Sequence, residues 1–252
     1  MGNHAESMSP VHSGTAAIET NNLSKRFKGR IAVDHLSIRI PRGAIAGFIG
    51  PNGAGKTTTI RMLLGLICPS SGNASVLGHA ISNPRSYLPR VGALIESPAM
   101  YPGLSGRRNL EVLARLGGFP LSQVDKALET VDLLGRADDL ARTYSLGMKQ
   151  RLGMAMALIP DPDLLILDEP TNGLDPLGII EMRDTLRSLR DTGKTILISS
   201  HLLQELEQVI DWLVILRDGK ALFNASVHDL VQEDTSLEQN FLSMLKGDGS
   251  HV

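Results

Sequence analysis

Apolar residues along the chain follow two rhythms. From Ala17 onward the text reads as short strands: Leu36, Ile38 and Ile40 are apolar while Ser37 and Arg39 between them are polar, the period of two that marks a half-buried strand. Residues 41–43 (PRG) end it. The next run, residues 44–49 (AIAGFI), has no alternation and is bounded by glycine, which predicts a central parallel strand covered on both faces. A helix is expected from Lys56 to about Leu66, stopping before Pro69. Residues 164–168 (LLILD) and 195–199 (TILIS) predict two more buried strands; between them Ile179, Met182, Leu186 and Leu189 keep helical spacing until Gly193. From Tyr101 to Pro160 strand text disappears, and helical spacing takes over at Leu110, Leu113 and Ala114, then at Val124, Leu128 and Val131. The pattern predicts an α/β core with a helical lobe, about residues 97–160, inserted into it. Asp218-Gly219 between apolar runs predicts a hairpin turn. Ser236 and Gln239 form a capping box around Leu237 and ahead of Phe241, Leu242 and Leu245, so a short amphipathic helix is expected there. Residues 1–15 read as a disordered extension, 16–246 as the folded domain and 247–252 as a flexible tail.

Composition narrows the class. With 252 residues, 42% of them hydrophobic, the chain can bury the core of one large domain or of two lobes sharing an interior. A net charge of −2 lacks the basic excess that favours phosphate backbones, which argues against a nucleic-acid partner. The single cysteine, Cys68, cannot form an internal disulfide; it lies in an apolar run and is expected to be a small buried hydrophobe in a reducing, cytosolic compartment. No run approaches the eighteen or so apolar residues needed to span a bilayer, and the first fifteen residues hold no apolar core of the signal-peptide kind.

Two stretches carry chemistry. Gly50, Pro51, Asn52, Gly53, Ala54, Gly55, Lys56, Thr57 and Thr58 follow a buried strand and open a helix, which is the P-loop pattern in the context that gives it meaning. Its glycines let backbone N–H groups converge on phosphate oxygens, Lys56 adds a point charge for the β and γ phosphates, and Thr57 offers a hydroxyl to Mg²⁺. Residues 164–170 (LLILDEP) bring Asp168 and Glu169 to the carboxyl edge of a strand, where open α/β sheets bind ligands. Asp168 would hold Mg²⁺ and Glu169 would orient and deprotonate the water that attacks the γ-phosphate. His201, directly after residues 197–200 (LISS), belongs at the tip of a neighbouring strand, in reach of that phosphate.

Together these residues resemble the ATP-binding cassette family, and residues 144–151 (YSLGMKQR) decide it. In that family a loop ending in Ser-x-Gly at a helix start is the signature. Here Tyr144, Ser145, Leu146, Gly147 and Met148 occupy its five positions, with Leu and Met in place of the more common Gly and Gln. The Ser145 hydroxyl, the Gly147 N–H and the positive end of the helix would face an anion. The resemblance implies a P-loop NTPase core with a mostly parallel sheet, an N-terminal antiparallel β subdomain and an inserted helical subdomain. It implies ATP and Mg²⁺ as cofactors, and a head-to-tail homodimer in which Ser145 meets the γ-phosphate held by a second copy. It places Phe27 on adenine, Asp175 in the D-loop that communicates across the dimer, and Glu96, where most members carry Gln, on Mg²⁺. Lys25, Arg26, Lys28 and Arg30 around Phe27 read as a solvated face.

Glu96 together with residues 146–151 and 168–176 is similar to the cassette ATPases that serve bacitracin resistance and lantibiotic immunity. That implies separate transmembrane permease subunits, docked in a groove near residues 96–104, and a peripheral position on the inner face of a bacterial membrane. Other readings are a cassette acting on DNA or ribosomes, a GTP-binding switch and an importer ATPase. The first would want a long coiled coil between Lys56 and Ser145 or a second cassette, and the second an Asn-Lys-x-Asp motif; neither occurs. Sequence separates importers from exporters only through the subgroup resemblance.

Overall fold

The structure is a computed structural model that describes residues 15–96 and 98–230, with Leu237, Gln239 and Phe241. Residues 1–14 of the expected extension, Ser236 of the capping box, Leu242, Leu245 and the tail 247–252 lie outside the described residues.

Strands β1 (Ala16–Phe27), β2 (Arg30–Leu36) and β3 (Arg39–Pro41) lead to β4 (Ile45–Ile49), which runs through a loop into α1 (Lys56–Leu63). Then come β5 (Ser71–Val76), β6 (His79–Ala80) and β7 (Val91–Leu94). Helices α2 (Gly106–Gly117), α3 (Ser122–Thr130) and α4 (Leu146–Leu158) separate β7 from β8 (Leu164–Asp168). The chain continues through α5 (Pro176–Asp191), β9 (Thr195–Ser200), β10 (Trp212–Arg217) and β11 (Lys220–Ser226). One sheet has the order β11-β10-β4-β9-β8-β7 and is parallel except for β11. The other is antiparallel, in the order β2-β1-β5-β6, with β3 also paired to β1.

The parallel sheet is filled from both sides, and successive residues divide between two cores. Ile45, Ile49, Leu165, Leu167, Ile196 and Ile198 pack with the helical lobe and α5. Ala46, Phe48, Leu164, Ile166 and Leu197 pack with α1 and the antiparallel sheet. Burial on both faces is why β4, β8 and β9 read as unbroken apolar runs.

Three expectations need correction. Leu36 to Ile40 is not one strand: β2 ends at Leu36 and β3 starts at Arg39, although the alternation of burial persists. The reason is Thr20 on β1, whose hydroxyl donates to Leu36 O (2.8 Å) and accepts from Ile38 N–H (3.0 Å), replacing ladder bonds at the break. Helix α1 stops at Leu63 rather than near Leu66, because Gly65 takes a left-handed φ of 68° and closes a Schellman cap, with Gly65 N–H on Met62 O and Leu66 N–H on Arg61 O. Cys68 is exposed, not buried: it lies past that cap, and its carbonyl accepts a bond from Lys25 Nζ (2.6 Å).

Candidate functional site

Strand β4 delivers the chain to Gly50 in the middle of the parallel sheet, and the loop turns there into α1. A Cβ on Gly50 would lie 2.3 Å from Leu216 O, and one on Gly55, whose φ is 103°, would lie 2.6 Å from Ala32 O. Neighbouring backbone therefore excludes side chains at both positions and holds the loop in its curl. Gly219 N–H, in the turn between β10 and β11, donates to Ala54 O at 3.1 Å, so the hairpin buttresses the loop from outside. Lys56 is 6% exposed; its Nζ donates to Gly50 O (2.6 Å) and sits 3.1 Å from Glu169 Oε1.

The carboxylates arrive from β8. Asp168 Oδ2 accepts from the Thr57 hydroxyl (2.7 Å), which joins the start of α1 to the end of β8. Ser199, on the adjacent β9, donates to Asp168 Oδ1 and accepts from Glu169 N–H at 3.0 Å. Glu169 itself has φ 50°, a left-handed conformation that costs an ordinary residue about 1–2 kcal/mol. His201 Nδ1 lies 2.9 Å from Glu169 Oε2, within hydrogen-bond distance. Ser200 and Thr171 both donate to Glu205 Oε2, tying the segments that follow β9 and β8 to one another.

A cavity of about 650 Å³ is lined by Phe27, Arg30, the loop from Asn52 to Thr58, Glu169, Asn172 and His201. Phe27, Asn52 to Thr58, Glu169 and His201 thus meet in one place, while Gly50 and Pro51 do not line it. Phe27 is 47% exposed, with Lys25 Nζ 5.0 Å from its ring centroid. Arg30 is exposed, as expected of a solvated face, and also lines this cavity. Glu96 does not: it has φ 58° and pairs with Arg61 of α1, with its side chain 62% exposed.

The signature residues stand elsewhere. Ser145 caps α4, its Oγ accepting Met148 N–H at 3.2 Å. Burial pushes the Tyr144 phenol up, and its hydroxyl donates to Arg136 O (2.6 Å), which fixes the approach to the cap. Ser145, Gly147 and Asp175 line a second cavity of about 370 Å³, which shares no residue with the first. Asp175 caps α5 by accepting Gly178 N–H (2.8 Å). Sequence reasoning missed Arg151, which pairs with Asp132 (3.3 Å) and with Glu181 on α5 and so fastens α4 to the core. It also missed Ser199, whose only signal was a pair of hydroxyl residues ending an otherwise apolar strand.

A buried strand, a glycine-curled loop, Lys-Thr at a helix start and an acid pair on a parallel neighbour define a P-loop NTPase. The family described as ABC transporter matches residues 33–172, more than half of the chain. The bacitracin transport ATP-binding protein BcrA of Bacillus licheniformis is 49% identical over 208 residues, 81% of this chain and 68% of that protein. The lantibiotic transport ATP-binding protein SrtF of Streptococcus pyogenes is 40% identical over 205 residues, 81% of this chain and 89% of that protein. A solved structure of an ATP-binding subunit of an ABC transporter superposes with a TM-score of 0.80 at 28% identity, covering 92% of this chain and all of the other. The chain belongs to the ABC transporter family. It is an ATP-binding subunit, an ATPase whose hydrolysis powers transport, and such subunits work with separate transmembrane permease components. No helix among the described residues is long and apolar enough to cross a membrane.

Proposed function

We propose that two copies of this subunit pair head to tail, each P-loop cavity closing on the Ser145–Gly147 corner of the other copy. One observation carries the reading. A Cβ on Gly147 would meet nothing of this chain closer than Leu174 at 3.6 Å, ordinary contact, so no intrachain packing demands glycine there. Close approach by an external group would. Ser145, capping its helix next to that open position, has a hydroxyl proton with no acceptor among the described residues and can donate it to a γ-phosphate.

Thr57 and Asp168 offer oxygen donors 2.7 Å apart, a hard set that fits Mg²⁺, which takes one or two carboxylates and keeps water and phosphate oxygens as its other ligands. The ion, when bound, would neutralise charge growing on the β and γ phosphate oxygens. Glu96 can join that set only by releasing Arg61. Lys56 would exchange Gly50 O and Glu169 for phosphate oxygens. Glu169 would then accept a proton from the attacking water while His201 holds its second oxygen and turns Nε2 toward the γ-phosphate. Phe27 would stack on adenine.

Similarity to BcrA and SrtF supports export, or removal from the membrane, of a peptide antibiotic or similar drug, with the subunit held on the inner face of a bacterial membrane by its permease. Leu94, Pro98, Leu113 and Met156 line an apolar groove between β7 and the helical lobe, the place we assign to the permease. The test of the catalytic assignment is Glu169→Gln, which should leave ATP binding intact and slow turnover by about two to four orders of magnitude. Unimpaired hydrolysis would remove Glu169 from the role.

A further inference from the structure

The hairpin that carries Phe27 closes on Arg30. The two are the last paired residues of β1 and β2, and Lys28 and Gly29 between them take φ of 37° and 91°, both left-handed, as in the two-residue turns that suit strand twist. Residues directly opposite in an antiparallel pair project from the same face of the sheet, so the register sends both side chains the same way. Both line the nucleotide cavity.

Arg30 lies close to the phosphate loop. A Cβ built on Gly53 would be 3.5 Å from its Nη2. Among the described residues its guanidinium has no carboxylate or carbonyl partner, whereas Arg61, Arg90 and Arg107 each meet an acid. An arginine fork aimed at a loop built for phosphate, with no anion of its own, is suited to a phosphate oxygen. We propose that Arg30 binds the phosphate chain of the nucleotide, a second side-chain cation beside Lys56. Phe27 and Arg30 then act as a pair: one turn sets the spacing between the site for the base and the site for the phosphates.

The proposal rests on the reading of this cavity as the ATP site, and the experiment separates the two. Displacement of a fluorescent adenine nucleotide by ATP, tripolyphosphate and adenosine is measured on the full chain and on Arg30→Gln and Arg30→Lys, with thermal unfolding as the check on folding. Arg30→Gln should weaken ATP and tripolyphosphate alike, about five- to tenfold, and leave adenosine unchanged; Arg30→Lys should recover part of the loss. Where the wild type binds ATP, displacement by tripolyphosphate that is unchanged in Arg30→Gln overturns the role of Arg30 alone. An equal loss for adenosine overturns it too, because Arg30 would then serve the base or the fold. A wild type from which ATP displaces nothing overturns the cavity assignment together with the proposal.

Discussion

Ser199 shows how one hydroxyl can govern two carboxyl residues. It donates to Asp168 and accepts the Glu169 N–H, so it fixes a side chain next to the Thr57 hydroxyl and a backbone held at positive φ. Ser199 is fully buried, and its removal leaves the Glu169 N–H and one Asp168 oxygen without this partner. An unmade bond of that kind costs about 1–3 kcal/mol. Ser199→Ala is therefore expected to lower stability by about that amount in a denaturant melt and to reduce kcat more than it raises KM for ATP, because Glu169 loses its orientation while the P-loop stays intact. A variant with wild-type kcat would show that Glu169 needs no such support. Serine at this position was unremarkable in the sequence, since an apolar strand ending in two serines reads as a strand end. Only the register of β8 against β9, with Asp168 opposite Ser199, gives it a task.

Elements were legible where one physical cause dominates. β4, β8 and β9 were plain because burial on both faces forces unbroken apolar runs, and the β10–β11 hairpin because Asp218-Gly219 supplies two left-handed residues. The break between β2 and β3 was hidden: the alternation of Leu36, Ile38 and Ile40 runs through it, and the cause is a side chain sixteen residues or more away, Thr20. In the same way the P-loop and acid pair could be read from local text, whereas the pairing of Glu96 with Arg61 and the entry of Arg30 into the cavity depend on how separate segments meet. Another long-range contact joins the helical lobe to the sheet: Asp161, just before β8, meets Lys194 Nζ at 2.7 Å and Lys126 of α3 at 3.8 Å. The hydrogen bond from Lys194 holds the Asp161 carboxyl below its ordinary value of 3.8. A carboxyl depressed in the folded chain contributes stability above its unfolded pKa and loses it as pH falls through the folded one. Asp161→Asn should thus cost about 0.5–1 kcal/mol at neutral pH, a modest figure because Asp161 is half exposed, and the gap from wild type should shrink to nothing below the folded pKa. Denaturant midpoints at pH 7 and in acid measure this; a gap that persists in acid would assign the effect to something other than the charge.

At the scale of the molecule, the P-loop and the Ser145 corner stand apart. The P-loop cavity and the Ser145 cavity share no lining residue, and within one chain neither completes the other. Residues 169–175 run between them: Glu169 and Asn172 line the first, Gly173 and Asp175 the second. A Cβ on Gly173 would come within 2.6 Å of Leu146 Cδ2, so the signature corner lies directly on this segment. If the halves are joined by two-fold symmetry, each composite site draws its P-loop from one chain and its serine from the other. Ser145→Arg chains then lack every working corner, and Lys56→Ala chains every working loop, so each is inactive alone. Mixed, a Ser145→Arg chain offers its intact loop to the intact corner of a Lys56→Ala chain, which restores one site and only one. With random pairing, half of the dimers are mixed and each has one site of two, so ATPase activity should rise to about a quarter of wild type if the sites act independently. Activity no higher than the mean of the separate variants would mean that a single restored site cannot turn over, or that the serine serves its own chain. Trapping settles which: with Glu169→Gln added to both variants, a mixed pair should still hold one ATP between two chains, and strictly monomeric protein at saturating Mg-ATP would remove the second copy from the mechanism.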